Sequence, residues 1–136
     1  MILVDTSVLI DYLKGAENQA VAAFDNILKQ GMPYGINEFI YLEVLQGART
    51  AKEYQKLQEY FETIPFYPLS RGKESYEQAA HLNFACRRSG VTVRSTIDLL
   101  VAQTAIENNL FLLHNDSDFT NMAQAIKELK IFKIMG

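Results

Sequence analysis

Ile2-Leu-Val-Asp-Thr-Ser-Val-Leu-Ile10 is the stretch on which the fold turns. Its apolar run Ile2-Leu3-Val4 is too short for a helix and meets an acid at once, at Asp5. It reads as a strand buried on both faces, the kind found in parallel sheets covered by helices. Val8 to Lys14 follows as a short helix ended by Gly15. A second strand of the same type, Leu110-Phe-Leu-Leu113, is followed two residues later by another acid, Asp116.

Helical stretches fill the chain between these runs. Glu17 to Gln30 carries Val21, Phe24, Ile27 and Leu28 at three- and four-residue spacing and stops at Gly31. Residues 33–36 read as a short strand, and Asn37 as the N-cap of a helix through Gln46 that stops at Gly47. Ala51 to Glu62 is a further helix. Residues 64–69 read as an edge strand, because Pro65 and Pro68 cannot donate to a ladder. Ser70 to Ser89 is a long helix closed by Gly90, and Ser95 to Asn108 is another. Ser117 to Lys130 reads as helix, and Ile131 to Ile134 as a last strand. Strands alternating with helices predict one α/β domain over residues 1–136, a three-layer α/β/α sandwich around a mainly parallel sheet. In such sheets the chemistry gathers beyond the carboxyl ends of the strands.

Four acids stand where acids are costly. Asp5 and Asp116 follow the two apolar strands; Glu43 and Asp98 fall on the apolar sides of two helices, in Phe39-Ile-Tyr-Leu-Glu-Val-Leu45 and Ile97-Asp-Leu-Leu-Val-Ala102. Each has an ordinary structural explanation. Asp5 can cap the helix near Thr6 or Ser7, and Asp98 completes the capping-box pattern Ser95-Thr-Ile-Asp98. Asp116 can form an Asx-turn or cap the next helix, and Glu43 can pair with Arg49. Asp118, a fifth acid, reads as a helix start in Ser117-Asp-Phe119. What these readings leave unexplained is the joint placement: two acids at strand ends and two on core-facing helices. Brought together, four carboxylates make a cage of hard oxygen ligands for a divalent cation.

Composition bounds the rest. Of 136 residues, 49% are hydrophobic and 21% charged, which argues against extensive disorder. No apolar run approaches the ~18 residues of a membrane span, and the first residues read as a strand rather than a signal peptide. Cys86 is the single cysteine, which excludes an internal disulfide and fits a reducing cytoplasm. The formal charge is -3, from 13 basic and 16 acidic residues. Setting the four acids aside leaves 13 basic against 12 acidic, so the negative balance can reside in the proposed site. His81 and His114 lack zinc-type spacing, and Cys86 in Phe84-Ala-Cys86 reads as core. Arg87, Arg88 and Arg94 flank Gly90, either as a solvated helix end or as contacts to phosphate.

In this order the motifs resemble the PIN-domain ribonucleases, and within them the VapC-type toxins of toxin–antitoxin pairs. Four segments carry the likeness: Val4-Asp-Thr-Ser-Val-Leu-Ile10, Asn37-Glu-Phe-Ile-Tyr-Leu-Glu-Val-Leu-Gln-Gly47, Ser95-Thr-Ile-Asp-Leu-Leu-Val-Ala-Gln-Thr-Ala105 and Leu112-Leu-His-Asn-Asp-Ser-Asp-Phe119. The resemblance implies a PIN-like sandwich with Asp5, Glu43, Asp98 and Asp116 as the catalytic, metal-binding acids. Beside the first acid it implies a hydroxyl, for which Thr6 and Ser7 both qualify; for the fourth acid both Asp116 and Asp118 qualify, Asp116 being favoured as nearer the strand end and Asp118 taken as a supporting acid. The basic residue that many relatives carry before the fourth acid is absent from Asn115-Asp116. The resemblance further implies Mg²⁺ or Mn²⁺, an RNA substrate, a homodimer and a small VapB-like antitoxin. That antitoxin would wrap the helices near residues 8–14 and 38–62, with Tyr12, Tyr60 and Phe61 as exposed anchors.

A bound cation would relieve the repulsion among the carboxylates and polarise a water for attack on phosphorus, so no side-chain nucleophile is required. Two other classes compete. In a non-catalytic α/β binding module the acids would be helix caps only. In an aspartyl-phosphate phosphotransfer enzyme Asp5 would be the nucleophile, but a second Asp is expected two positions on, and that residue is Ser7.

Overall fold

A computed structural model describes residues 1–134. Its elements run β1 (Ile2–Val4), α1 (Thr6–Leu13), α2 (Gln19–Lys29), β2 (Tyr34–Gly35), α3 (Glu38–Gln46), α4 (Ala51–Phe61), α5 (Lys73–Arg88), α6 (Thr96–Glu107), β3 (Phe111–Leu113), α7 (Ser117–Ala125) and β4 (Lys130–Ile131). The strands form one sheet in the order β2-β1-β3-β4, parallel throughout. Successive strand side chains point to opposite faces. Ile2, Leu3 and Val4 are nevertheless all buried, so helices cover both faces of the sheet. The result is the expected α/β/α sandwich, with Leu9, Phe24, Ile36, Ile40, Leu112, Leu113 and Phe119 fully buried in its core.

The topology places Asp5 and Asp116 at one edge of the sheet. From β1 the chain crosses to β2 on one side of the sheet, while β3 lies on the other, so the strand order reverses between β1 and β3. These two are in register, Val4 opposite Leu113, and the Asp5 N–H donates to the Leu113 carbonyl at 2.9 Å. Their carboxyl ends therefore lie side by side, with Asp5 beyond one and the Asp116 loop beyond the other.

Several expectations need correction. Residues 64–69 do not form a strand; a single parallel bridge joins Ile36 to Phe66. Ile36 exchanges backbone bonds with Pro65 and Tyr67, but Pro65 and Pro68 have no N–H with which to extend the ladder. Gly35 makes that approach possible, since a Cβ there would lie 2.5 Å from the Pro65 carbonyl oxygen. Helix α5 starts at Lys73 rather than Ser70, after Gly72 at a positive φ of 57°. Helix α7 ends at Ala125, not Lys130. Ile126 turns extended there so that β4 can begin beside Phe111, and the last strand is Lys130–Ile131 rather than residues 131–134. Phe61 is buried in the core and cannot serve as an exposed anchor, while Tyr12 and Tyr60 are half-buried among aromatic neighbours. Cys86 is buried, as its apolar setting implied.

Candidate active site

Asp5 is held by its own helix. It N-caps α1, with Oδ2 accepting from the Ser7 N–H at 3.1 Å and from the Ser7 hydroxyl at 2.7 Å. The Ser7 Oγ in turn accepts the Asn115 N–H at 2.9 Å, tying the turn after β1 to the loop after β3. Burial raises the Asp5 pKa against the lowering effect of the Ser7 bonds, and the nearby Glu43 charge adds to the rise. The cap reading of Asp5 is therefore true, and the residue still lies at the carboxyl edge.

Glu43 reaches the same region from the middle of α3. Its Oε1 accepts from the Thr6 hydroxyl at 2.9 Å. The expected partner Arg49 does not pair with it; the Arg49 N–H instead donates to Glu53. Asn37 fixes the start of α3 by accepting the Ile40 N–H, and its amide donates to Thr104 of α6 in a buried bond. That link sets α3, and with it Glu43, against the helix that carries Asp98.

Asp98 stands in the first turn of α6, whose N-cap is Ser95. The Ser95 hydroxyl accepts from Ile97, and no hydrogen bond among the described residues reaches the Asp98 carboxylate, so the capping box does not close. Its pKa is pushed up to about 7 by burial first, then by the charges of Asp5, Asp116, Glu43 and Asp118. One half-buried carboxyl thus feels all four other acids.

In the fourth segment the cap reading of Asp116 holds. Asp116, not Asp118, is the N-cap of α7; its Oδ1 accepts the Asp118 N–H at 2.9 Å. The Asp116 N–H is itself held by Nδ1 of His114, a buried ring whose pKa burial lowers. Asp118 is nearly buried and paired with Arg94, which it meets through both oxygens. Carboxylate oxygens of Asp98, Asp116 and Asp118 lie within 4.8 Å of one another, a span comparable with the ~4 Å between opposite oxygens of a hydrated Mg²⁺. Asp5 and Glu43 stand outside that trio but within its field.

The remaining basic candidates divide. Arg94 belongs to the acidic cluster, whereas Arg87 and Arg88 end α5 on the surface, with Arg88 over the Phe84 ring. Asn115 and His114 shape the edge although neither stood out as a site residue, because their roles are carried by a backbone N–H and a ring acceptor that residue type does not announce.

The PIN domain model matches residues 2–125. Among curated proteins, the chain is 30% identical over 125 residues to a VapC ribonuclease of Mycobacterium bovis and, equally, to ribonuclease VapC11 of Mycobacterium tuberculosis, covering 91% of this chain and 92% of each relative. Among solved structures, VapBC2 from Rickettsia felis bound to a DNA fragment from their promoter superimposes with a TM-score of 0.74 over 97% of this chain and 98% of that one, at 16% identity. FitAcB from Neisseria gonorrhoeae gives 0.69 over 98% and 97%, at 19% identity. These structural likenesses show the fold; the family model and the 30% relatives carry the assignment. The chain belongs to the PIN-domain family, in its VapC-type branch.

Proposed function

We propose that this chain is a divalent-metal-dependent endoribonuclease, the toxin of a toxin–antitoxin pair, acting as a single domain. The reading rests on one observation above all. Carboxylate oxygens of Asp98, Asp116 and Asp118 lie within 4.8 Å of one another, and Asp98 feels the charges of Asp5 and Glu43 besides. Acids used only as caps have no reason to converge, and such convergence without a cation is repulsive.

The donor set is all oxygen and mostly carboxylate, which suits Mg²⁺ or Mn²⁺ rather than softer metals. Asp5, Asp98 and Asp116 would hold the ion, with Glu43 as ligand or water-positioning group and Asp118 in support. Bound there, the metal would supply an activated water and charge stabilisation at phosphorus. The chain's own part is positional. Thr6 fixes Glu43, Ser7 fixes Asp5, and the buried His114 fixes the turn that carries Asp116. Arg87 and Arg88, exposed at the end of α5, are free to meet substrate phosphates.

RNA as substrate is supported by the ribonuclease names of the relatives, and a VapB-like antitoxin by the VapBC complexes among the structural neighbours. A pocket of about 180 Å³ between α1, α3 and α4, lined by Ile10, Leu13, Val44 and Leu57 with Lys14 and Glu53, suits an apolar anchor side chain of such a partner's helix. Homodimerisation and a cytoplasmic location complete the proposal. No helix of the described residues is long and apolar enough to cross a membrane.

Asp5→Asn and Asp98→Asn, purified and checked for folding by circular dichroism, test it on a fluorescent RNA with Mg²⁺, Mn²⁺ or chelator. Each is expected to lose at least about tenfold in turnover, as for ~1.4 kcal/mol of transition-state stabilisation. Full activity in either variant, still requiring metal, would remove that acid from the site.

A further inference from the structure

Asp118 is engaged in a way that the other acids are not. Its Oδ2 accepts from Arg94 Nε at 3.1 Å and its Oδ1 from Arg94 Nη2 at 2.8 Å, a two-pronged ion pair. The two partners differ in exposure: the Asp118 side chain keeps 11% of its surface in solvent, that of Arg94 71%. A nearly buried carboxylate is therefore matched by a cation that reaches it from outside. Asp118 also lies in the oxygen trio with Asp98 and Asp116, and the guanidinium feels both of those charges as well. Of the three salt bridges among the described residues, this one alone touches the acidic site; the other two are exposed pairs one helical turn apart.

We propose that Arg94 is a resident counter-cation that takes the place of a second divalent ion, so that the site accepts one metal. The proposal rests on the metal-dependent reading above. The physical case is a competition for the same carboxylates. In two-metal phosphodiesterase sites the ions sit roughly 3.5–4 Å apart and share carboxylates between them. Here the outer carboxylate is already neutralised by a fixed positive charge, and a second divalent ion at Asp116 and Asp118 would be repelled by the guanidinium at ion-pair distance. The five acids are then divided. Asp118 is paired with Arg94, whose charge also reaches Asp116 and Asp98, while Asp5 and Glu43 have no salt-bridge partner among the described residues. Because most of the Arg94 side chain is solvated, removing it leaves no cavity in the core. Its loss also leaves the nearly buried Asp118 carboxylate without its partner, a cost in stability that a bound cation offsets, so the folding of the variant is checked before its ions are counted.

Mn²⁺ binding to the purified chain measures this directly, by calorimetric stoichiometry and by electron paramagnetic resonance. The wild type is expected to bind about one tight Mn²⁺ with an uncoupled spectrum, and Arg94→Gln about two, with the spin-coupled spectrum of neighbouring ions. Arg94→Lys, which keeps the charge, should stay near one, and Arg94→Gln combined with Asp118→Asn should return to about one. One Mn²⁺ in Arg94→Gln with unchanged affinity overturns the proposal, and so do two tight ions on the wild type, a result that needs no variant to fold. Absence of tight Mn²⁺ from the wild type would instead sink the metal-dependent reading itself. Loss of the wild-type ion in Asp98→Asn confirms that the ion counted is the one at the acidic site.

Discussion

The Thr6 hydroxyl donates to Oε1 of Glu43 at 2.9 Å, joining the first turn of α1 to the middle of α3. Thr6 is buried, so its hydroxyl has no free access to water as an alternative partner. Glu43, which has no cap to make and no salt bridge among the described residues, is thus held by a neutral donor one residue beyond Asp5. A neutral donor orients the carboxylate without cancelling its charge, as the proposed cation site requires.

Thr6→Val keeps the shape of the side chain and removes the donor. We expect a stability loss of about 1 kcal/mol, the size of a net hydrogen bond to a charged group that keeps partial access to water. Turnover should fall by more than that stability change explains, because Glu43 is free to rotate away from the site. Thr6→Ser retains the hydroxyl and should recover most of the rate. Equal rates for the valine and serine variants would separate this hydroxyl from catalysis.

The raised pKa of Asp98 makes stability depend on pH. Its ordinary value is 3.8 and its value in the folded chain about 7. A carboxyl raised on folding contributes stability that is fully present below the lower value and is lost as pH rises through the higher one. The metal-free chain should therefore melt at progressively lower temperature from about pH 4 to pH 7, with Asp5, also raised, acting in the same sense. His114 is lowered and acts oppositely, since its contribution is lost as pH falls. Asp98→Asn should flatten the slope, and Mn²⁺ should reduce it in the wild type by favouring the ionised form. A wild-type slope unchanged by Asp98→Asn in thermal scans of the metal-free protein would refute the assignment.

Much of this arrangement was legible in the sequence, for identifiable reasons. Ile2-Leu-Val4 and Phe111-Leu-Leu113 read as strands because an unbroken apolar run followed by an acid has few other solutions, and Asn37 announced α3 by its capping chemistry. Residues 64–69 misread because a proline-bearing segment can lie against a sheet edge through two backbone bonds without becoming a strand. The end of α7 misread because the apolar Ile126 and Leu129 suit a helix as well as the turn that leads into β4. The four motifs picked out acids that the structure brings to one edge of the sheet, but the Arg94 pairing with Asp118 joins residues 24 apart and leaves no local pattern.

The same pairing decides how Asp116 and Asp118 should be told apart. Asp116 caps α7 through an oxygen that an asparagine also possesses, and Asn is as good an N-cap as Asp. Asp116→Asn should therefore leave the melting temperature nearly unchanged while removing a charge from the oxygen trio, so that its effect falls on turnover. Asp116→Ala removes cap and charge together and should add a stability loss of about 1 kcal/mol. Asp118→Asn breaks the two-pronged bond to Arg94 in a nearly buried setting, leaving the guanidinium to the solvent. Its effect should fall mainly on melting temperature, and less at high salt because Arg94 is exposed. Paired measurements of turnover and melting on the three variants distinguish the roles. A larger rate loss in Asp118→Asn than in Asp116→Asn would transfer the fourth ligand position to Asp118, and would mean that Arg94 leaves that carboxylate when the metal enters.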